Sequence, residues 1–292
     1  MNEPKLGALV GLPAYAVLFV GMLVIGGASQ SRDIVSGLWI SEGLAIALPA
    51  VAVLCFAGVR LRPYLGFRGI SWKQALAAVA VCTLNQPVVS FLTWVNRALL
   101  PERLVELFDE QQRLLATLFI GHNRFLMIVT VIVAAALGEE IFFRGYLLPS
   151  LRKTFGVVAA VIISGALFSA MHLEWGGFLG LMEIGIVLAM LRIWSGSLWA
   201  AVIGHGVNNA IAGVAFLLGY QDPDAPTPPA VLALGALLLA IGVWMFVRVL
   251  RSRQFASVEE PAPRRWPASI ALAAVWSIAL VISYSMLRHG GA

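Results

Sequence analysis

The amino-acid sequence predicts an all-α integral membrane protein, built as a polytopic bundle of about eight or nine transmembrane helices. Hydrophobic residues make up 60% of its 292 residues and charged residues only 12%, which is about half the charged fraction of a soluble domain. The mean hydropathy is +0.88. Several uncharged stretches approach the roughly 20 residues that a helix needs to cross a bilayer.

Nine apolar segments account for most of the chain, and polar loops separate them. The predicted spans are residues 6–28, 38–59, 75–95, 125–148, 157–172, 177–194, 198–218, 230–249 and 267–286. The sequence has no evident internal repeat and no soluble domain. We therefore expect residues 1–292 to form a single integral membrane domain.

A longer polar segment, residues 101–119, follows the third span. Its apolar residues, among them Leu104, Leu107 and Phe108, recur at helical spacing between acids and arginines. This pattern is typical of an amphipathic helix on the membrane surface. A simple helical connector between two spans explains the pattern equally well.

The basic residues indicate an orientation and exclude one class of partner. The net charge of +5 would be compatible with nucleic-acid binding, but the basic residues lie in short loops between apolar runs. Most of them fall on one side of the alternating loops, which is the pattern of cytoplasmic loops in membrane proteins. We therefore expect membrane lipid and no nucleic acid as a partner, and a cytoplasmic N-terminus.

Ionisable and amide side chains cluster in three neighbouring predicted spans. Inserting one ionisable residue at mid-span costs roughly 2.5–3.5 kcal/mol, so such residues are functional candidates by default. Two of the four histidines belong to this set. The residues are Glu139, Glu140 and Arg144 in the fourth span, His172 at the end of the fifth, and His205, Asn208 and Asn209 in the seventh.

Helix geometry separates the two adjacent glutamates. Glu140 and Arg144 are four residues apart, on one face and in the favourable order for an ion pair. Glu139 points about 100° away from them around the helix. A buried carboxylate without a nearby cation holds a proton more tightly and can act as a base. We therefore predict that Glu139 is reactive and Glu140 structural; the alternative is one ion network containing both acids.

The two histidines are predicted to have different tasks. His205 and Asn209 share a helix face and together offer two hydrogen-bond donors, as an oxyanion hole requires. Alternatively, His205 is a core histidine and Asn209 binds the backbone of a neighbouring helix. The ring of Phe168 can pack against His172 and fix it. His172 and Glu139 could then bind and deprotonate a water molecule.

These residues form three motifs, EExxxR, FxxxH and HxxxN, in this order on successive helices. They resemble the type II CAAX prenyl endopeptidases, also called the Abi or CPBP family of intramembrane proteases. The resemblance covers residues 125–219 and includes RIWSGSLWAAVIGHGVNN around the third motif. Each motif alone is weak, whereas three in order at these spacings are specific.

The resemblance implies a catalytic core at 125–219 and a polar intramembrane cavity within the helix bundle. It further implies that Glu139 and His172 activate water and that His205 and Asn209 stabilise the oxyanion. The expected activity is endopeptidase cleavage of a membrane-associated protein or peptide, with a CAAX-type or sorting tail. The alternatives are a non-enzymatic scaffold or bacteriocin-immunity protein and a proton-relaying transporter. The oligomeric state is not predicted.

Zinc is the remaining alternative for the chemistry. Glu139, His172 and His205 would be its ligands, since catalytic zinc often has three protein ligands and one open position. However, the HExxH motif is absent, and Asn209 beside His205 suits an oxyanion hole better than a zinc site, where a carboxylate or carbonyl usually orients the histidine. The sequence therefore favours a glutamate-type mechanism without a cofactor.

Other polar residues in the spans are expected to be structural. Glu42 lies near a span end and is predicted to be interfacial. Glu183 either faces the cavity or pairs with a neighbouring helix. Asn85 and Gln86 precede Pro87 and are expected to satisfy backbone groups that the proline frees. Counted along the predicted spans at 1.5 Å per residue, His172 lies on the order of 10 Å further out than Glu139.

Overall fold

The computed structural model describes residues 6–120, 123–218, 227–252 and 266–289, and within these ranges the chain is helical without any β-strand. The all-α prediction is therefore confirmed. The first two helices are α1 (8–30) and α2 (34–57), and each contains a wider π-helical turn, Met22–Gly26 in α1 and Ser41–Ala47 in α2. Such turns often mark functional positions in helices.

The remaining helices follow in chain order. They are α3 (Leu61–Leu65), α4 (Trp72–Leu84), α5 (Gln86–Leu99), α6 (Glu102–Ile120), α7 (124–155), α8 (157–171), α9 (Phe178–Ser195), α10 (Leu198–Leu217), α11 (Pro229–Ser252) and α12 (Trp266–His289). The boundary between α7 and α8 is Gly156, whose φ of +79° is a left-handed conformation that favours glycine.

Seven helical stretches of the described chain are long and apolar enough to cross a membrane. One of them, Phe125–Met171, has 47 residues and contains the predicted fourth and fifth spans on either side of Gly156. The predicted eighth span corresponds to a shorter apolar helix, Pro229–Trp244. Each of the nine predicted spans therefore has a helical counterpart, and the protein is a multi-pass membrane protein.

The main core lies where α1, α2, α7, α8 and α9 meet. Large side chains without solvent exposure fill it, including Leu18, Phe142, Tyr146 and Leu151. Two glycines allow α8 and α9 to pack tightly. A Cβ atom on Gly185 would lie 2.8 Å from the Cα atom of Gly165. Close approach through small residues is common between membrane helices, because lipid supplies little driving force for association.

The amphipathic segment forms α6 and packs at the end of α8. Phe108 lies so close to Gly176 that any side chain there would collide with its ring. An ion pair between Arg97 of α5 and Asp109 of α6, 2.6 Å between Nη1 and Oδ1, holds the helix in place. Asn96 donates to the carbonyl oxygens of Trp175 and Gly176. Through Phe108 and Asp109, α6 therefore packs on the bundle near the turn that follows His172.

Candidate active site

The two adjacent glutamates lie on α7 between two π-helical turns, Val131–Ala135 and Ile141–Leu147. Glu139 is 5% exposed and Glu140 has no exposure. Arg144 Nη1 donates to Glu140 Oε1 at 2.7 Å, so the predicted ion pair is present. Arg144 is itself fully buried and donates through Nη2 to the carbonyl oxygen of Gly185 at 2.9 Å. The ion pair therefore ties α7 to α9.

Glu140 also contacts the histidine that the sequence predicts for the oxyanion hole. His205 Nδ1 on α10 lies 2.9 Å from Glu140 Oε1, the oxygen that also accepts from Arg144. The Glu140 oxygen accepts from Arg144 as a carboxylate oxygen. Because a carboxylate can only accept, Nδ1 of His205 carries the hydrogen of the second contact. The Nε2 atom of His205 is then the nitrogen left for chemistry. Glu140 thus orients His205 as well as pairing with Arg144.

Phe168 of α8 lies at the centre of the cluster. Its ring centroid is 4.9 Å from that of His172 and 5.7 Å from that of His205. The guanidinium of Arg144 lies 4.4 Å from the centroid of the same ring. The predicted contact with His172 is present, and the contacts with His205 and Arg144 were not predicted. One aromatic ring therefore fixes both imidazoles and the buried cation.

Glu139 and His172 face each other across a short gap. His172 Nε2 lies 3.9 Å from Glu139 Oε2, and His172 Nδ1 lies 2.9 Å from the carbonyl oxygen of Phe168. A carbonyl oxygen can only accept, so Nδ1 carries the hydrogen and Nε2 presents a lone pair to Glu139. The expected difference in depth on the order of 10 Å is wrong, because counting residues along straight spans ignores how the helices pack, and the two side chains meet within 3.9 Å.

The structure places the two asparagines of α10 in different contacts. Asn209 Nδ2 donates to the carbonyl oxygen of Val131 at 3.0 Å, which is the backbone contact that the sequence left open as an alternative. An amide nitrogen has two hydrogens, so one further donor remains on Asn209. Asn208 Oδ1 instead accepts from Gln86 Nε2 at 2.8 Å. His205 and Asn209 stand on one helix, as predicted, and only Asn209 is partly exposed.

Two of four other intramembrane polar residues differ from their predictions. Gln86 Nε2 donates to the carbonyl oxygen of Cys82 at 2.9 Å, as expected beside a proline. Asn85 binds no freed backbone group and donates to Glu183 Oε2 at 2.7 Å, so that Glu183 pairs with a neighbouring helix. The interfacial prediction for Glu42 is wrong, because this side chain is 6% exposed. Its burial depends on how α2 packs against α7, which the sequence does not reveal.

A second acid, Glu174, lies beside His172 in the turn before α9. Gln112 of α6 hydrogen-bonds to its carboxyl group. Burial raises the pKa of Glu174, while the neighbouring His172 and the hydrogen bond from Gln112 act in the opposite direction. Glu174 thus links the amphipathic helix to the loop that carries His172.

The described side chains do not form a recognisable metal site. Among the described residues, no group of three histidine, cysteine, aspartate or glutamate side chains is close enough to hold a metal ion. The predicted zinc ligands Glu139, His172 and His205 therefore do not form a metal-binding set in this structure. However, Glu140 orients His205 in the way a carboxylate orients a metal-bound histidine, which removes one of the sequence arguments against zinc.

The fold and the site define a multi-pass membrane protein with acids, histidines and an arginine buried where its helices meet. Residues 121–211 match the family model described as Type II CAAX prenyl endopeptidase Rce1-like. This segment contains every predicted site residue from Glu139 to Asn209. Comparison with curated proteins and with solved structures gave no match. Over this segment the chain is similar to the type II CAAX prenyl endopeptidases.

Proposed function

We propose that this protein is an intramembrane endopeptidase that hydrolyses a peptide bond in a membrane-associated protein or peptide. The observation that carries the proposal is the pair Glu139 Oε2 and His172 Nε2, 3.9 Å apart. Both atoms are hydrogen-bond acceptors when His172 is neutral, since its Nδ1 donates to Phe168. Two facing acceptors suit a molecule that donates two hydrogens, which is water.

The first step is the attack of this water on the substrate carbonyl carbon. The water donates one hydrogen to Glu139 and one to His172, so that its lone pair is free to form the new C–O bond. The proton released from the water moves to Glu139, and the carbonyl π electrons move onto oxygen. General-base assistance of this kind contributes about 10²- to 10⁴-fold to a rate.

Stabilisation of the resulting oxyanion falls to α10. With hydrogens on both ring nitrogens, His205 donates to Glu140 from Nδ1 and to the oxyanion from Nε2. The second hydrogen of Asn209 Nδ2 is the other donor. The intermediate collapses when the carbonyl re-forms and the C–N bond breaks. The proton on Glu139 then passes to the leaving amine nitrogen, and the carboxylate is restored.

The substrate is proposed from the location of the site. Glu139 lies in the longest apolar stretch of the described chain, residues Phe125–Met171, so a peptide must reach it from the membrane. The family relationship supports a CAAX-type or C-terminal sorting tail carried by a membrane-anchored protein. A scaffold would not require an acid and a histidine that face each other as acceptors.

The test is direct hydrolysis by the purified full-length protein in liposomes. A prenylated CAAX peptide and an unprenylated transmembrane tail are incubated with it in H₂¹⁸O and analysed by mass spectrometry. We expect a single internal cut, with ¹⁸O in the new carboxylate. If neither peptide nor a wider set of membrane-anchored tails is cut, the protein is not the endopeptidase proposed here.

We further propose that the reaction proceeds without a metal ion. Cleavage should survive dialysis against EDTA and 1,10-phenanthroline at constant pH. An activity that is lost on chelation and restored by Zn²⁺ alone would contradict the proposal. A zinc-dependent protease of known chelator sensitivity, treated in parallel, is the control for complete removal.

A further inference from the structure

Glu42 of α2 is a buried acid that the proposed reaction does not use. It lies in the π-helical turn Ser41–Ala47 and is 6% exposed. Its Oε2 atom is buried and, within the described structure, lacks a hydrogen-bond partner. The charged group that acts on it is Glu139. Burying a polar atom without a hydrogen-bond partner costs free energy, so a buried oxygen of this kind usually has a physical role.

Gly138 brings Glu42 against the backbone of α7, one residue before Glu139. A Cβ atom at position 138 would lie 2.6 Å from Glu42 Oε2 and 2.9 Å from the Glu42 carbonyl oxygen. Only glycine therefore allows this approach of the two helices. Glu139 Oε2 likewise has no hydrogen-bond partner among the described residues. Two neighbouring carboxyl groups thus each present an unpaired oxygen.

Two buried carboxyl groups on residues that pack together at Gly138 are costly to ionise at the same time without a cation between them. Arg144 is the buried cation in this part of α7, and its hydrogen bonds go to Glu140 and to the carbonyl oxygen of Gly185. The charge that acts on Glu42 is that of Glu139. The titratable residues on the helices packed against the Glu42 turn are Tyr15, Cys55, Glu139, Glu140, Arg144, Tyr146, Tyr284 and Arg288.

We propose that Glu42 is a positioning residue for Glu139 and that the two carboxyl groups share one proton, which Glu42 carries while Glu139 is the base. The inference rests on the proposed function of Glu139. The pair holds one proton before the reaction and two after Glu139 has taken the proton from water. It returns to one when that proton passes to the leaving amine. The O–H of Glu42 keeps the Glu139 carboxylate oriented toward the water.

Two substitutions of similar size separate a hydrogen-bond donor from a space-filling side chain. Glu42→Gln keeps a neutral donor, and we expect it to keep kcat within about threefold of the parent value. Glu42→Leu removes the donor and should lower kcat by about 10- to 100-fold, the range for one hydrogen bond to a charged group, with KM unchanged. Because leucine suits a buried position, the melting temperature of Glu42→Leu should not fall.

Infrared spectroscopy supplies a readout that does not depend on cleavage. At neutral pH the parent protein should show a carboxylic-acid C=O band that is lost in Glu42→Leu and shifted in Glu139→Gln. This band would support the shared proton even if no substrate were ever cut. Its absence, or a band that neither substitution changes, would overturn the proposal. A kcat of Glu42→Leu equal to that of the parent would also overturn the proposal. The same holds if Glu42→Gln and Glu42→Leu lose kcat equally and both have lower melting temperatures.

Discussion

At the scale of single residues, the buried side of the site depends on Glu140, which accepts from Arg144 at 2.7 Å and from His205 at 2.9 Å through the same oxygen. The side that would hold the reacting water consists of Glu139 and His172. The EExxxR spacing was sufficient to predict the ion pair, because i and i+4 residues share a helix face. The contact with His205 spans 65 residues of sequence, so spacing within one helix could not reveal it.

The ion pair gives the first stability prediction. Arg144→Met leaves Glu140 buried without its cation, and this should lower the free energy of unfolding by about 3–5 kcal/mol. The measurement is thermal unfolding in detergent. Glu183→Gln is the control, since Glu183 is a membrane-embedded glutamate that bonds to an amide, Asn85, at 2.7 Å. Equal melting temperatures for Arg144→Met and the parent protein would show that the pair does not stabilise the fold.

At the scale of helices, the close contact of α8 with α9 is open to test. In Gly185→Ala the new Cβ atom would lie 2.8 Å from Gly165 Cα and 3.2 Å from its carbonyl oxygen. Because these are backbone atoms, the helices must separate, and we expect a loss of about 1–3 kcal/mol in the free energy of unfolding. Gly242→Ala on α11 has no atom within 4 Å of its Cβ and should leave stability unchanged.

Glu174 predicts a dependence of stability on pH at the junction of α6 with the His172 turn. Its pKa is raised by burial, so the folded state disfavours the ionised form. The parent protein should therefore lose stability as the pH rises from the ordinary pKa of glutamate through the raised one. The variant Glu174→Gln cannot ionise. Its melting temperature should therefore rise relative to that of the parent as the pH increases through this interval. The control is Glu106→Gln, on the exposed face of α6. A difference in melting temperature between Glu174→Gln and the parent that stays constant over this pH interval would contradict the prediction.

Hydrophobic runs predicted the helices well, because lipid requires long apolar segments whatever their tertiary contacts. They could not predict that the helix breaks at Gly156 itself, although the predicted spans end at residue 148 and begin again at 157, on either side of it. Nor could they predict Glu42, which lies 97 residues before Glu139 in the sequence and reaches it only through packing at Gly138. The sequence allows two interpretations of Asn209, a donor to the oxyanion or a contact with a neighbouring backbone. The structure shows the backbone contact to Val131, and one amide hydrogen remains available.

At the scale of the whole molecule, the distribution of basic residues predicts which loops face the cytoplasm. Gly69 lies in the loop between α3 and α4, and Arg32 lies in the turn between α1 and α2. With a cytoplasmic N-terminus, Arg32→Cys should react with a membrane-impermeant maleimide in intact cells, and Gly69→Cys only after lysis. The native Cys55 and Cys82 are buried and should give little background. The reverse labelling pattern would invert the orientation.

The proposed function depends on Glu139 as the base that activates water. The most direct test compares Glu139→Gln with the parent protein in liposomes, on whichever membrane-anchored peptide the parent cuts. We predict a fall in kcat/KM of about 10²- to 10⁴-fold, with an unchanged melting temperature and parent-like activity in the control Glu183→Gln. Cleavage by Glu139→Gln at the parent rate would show that Glu139 is not the base that activates water.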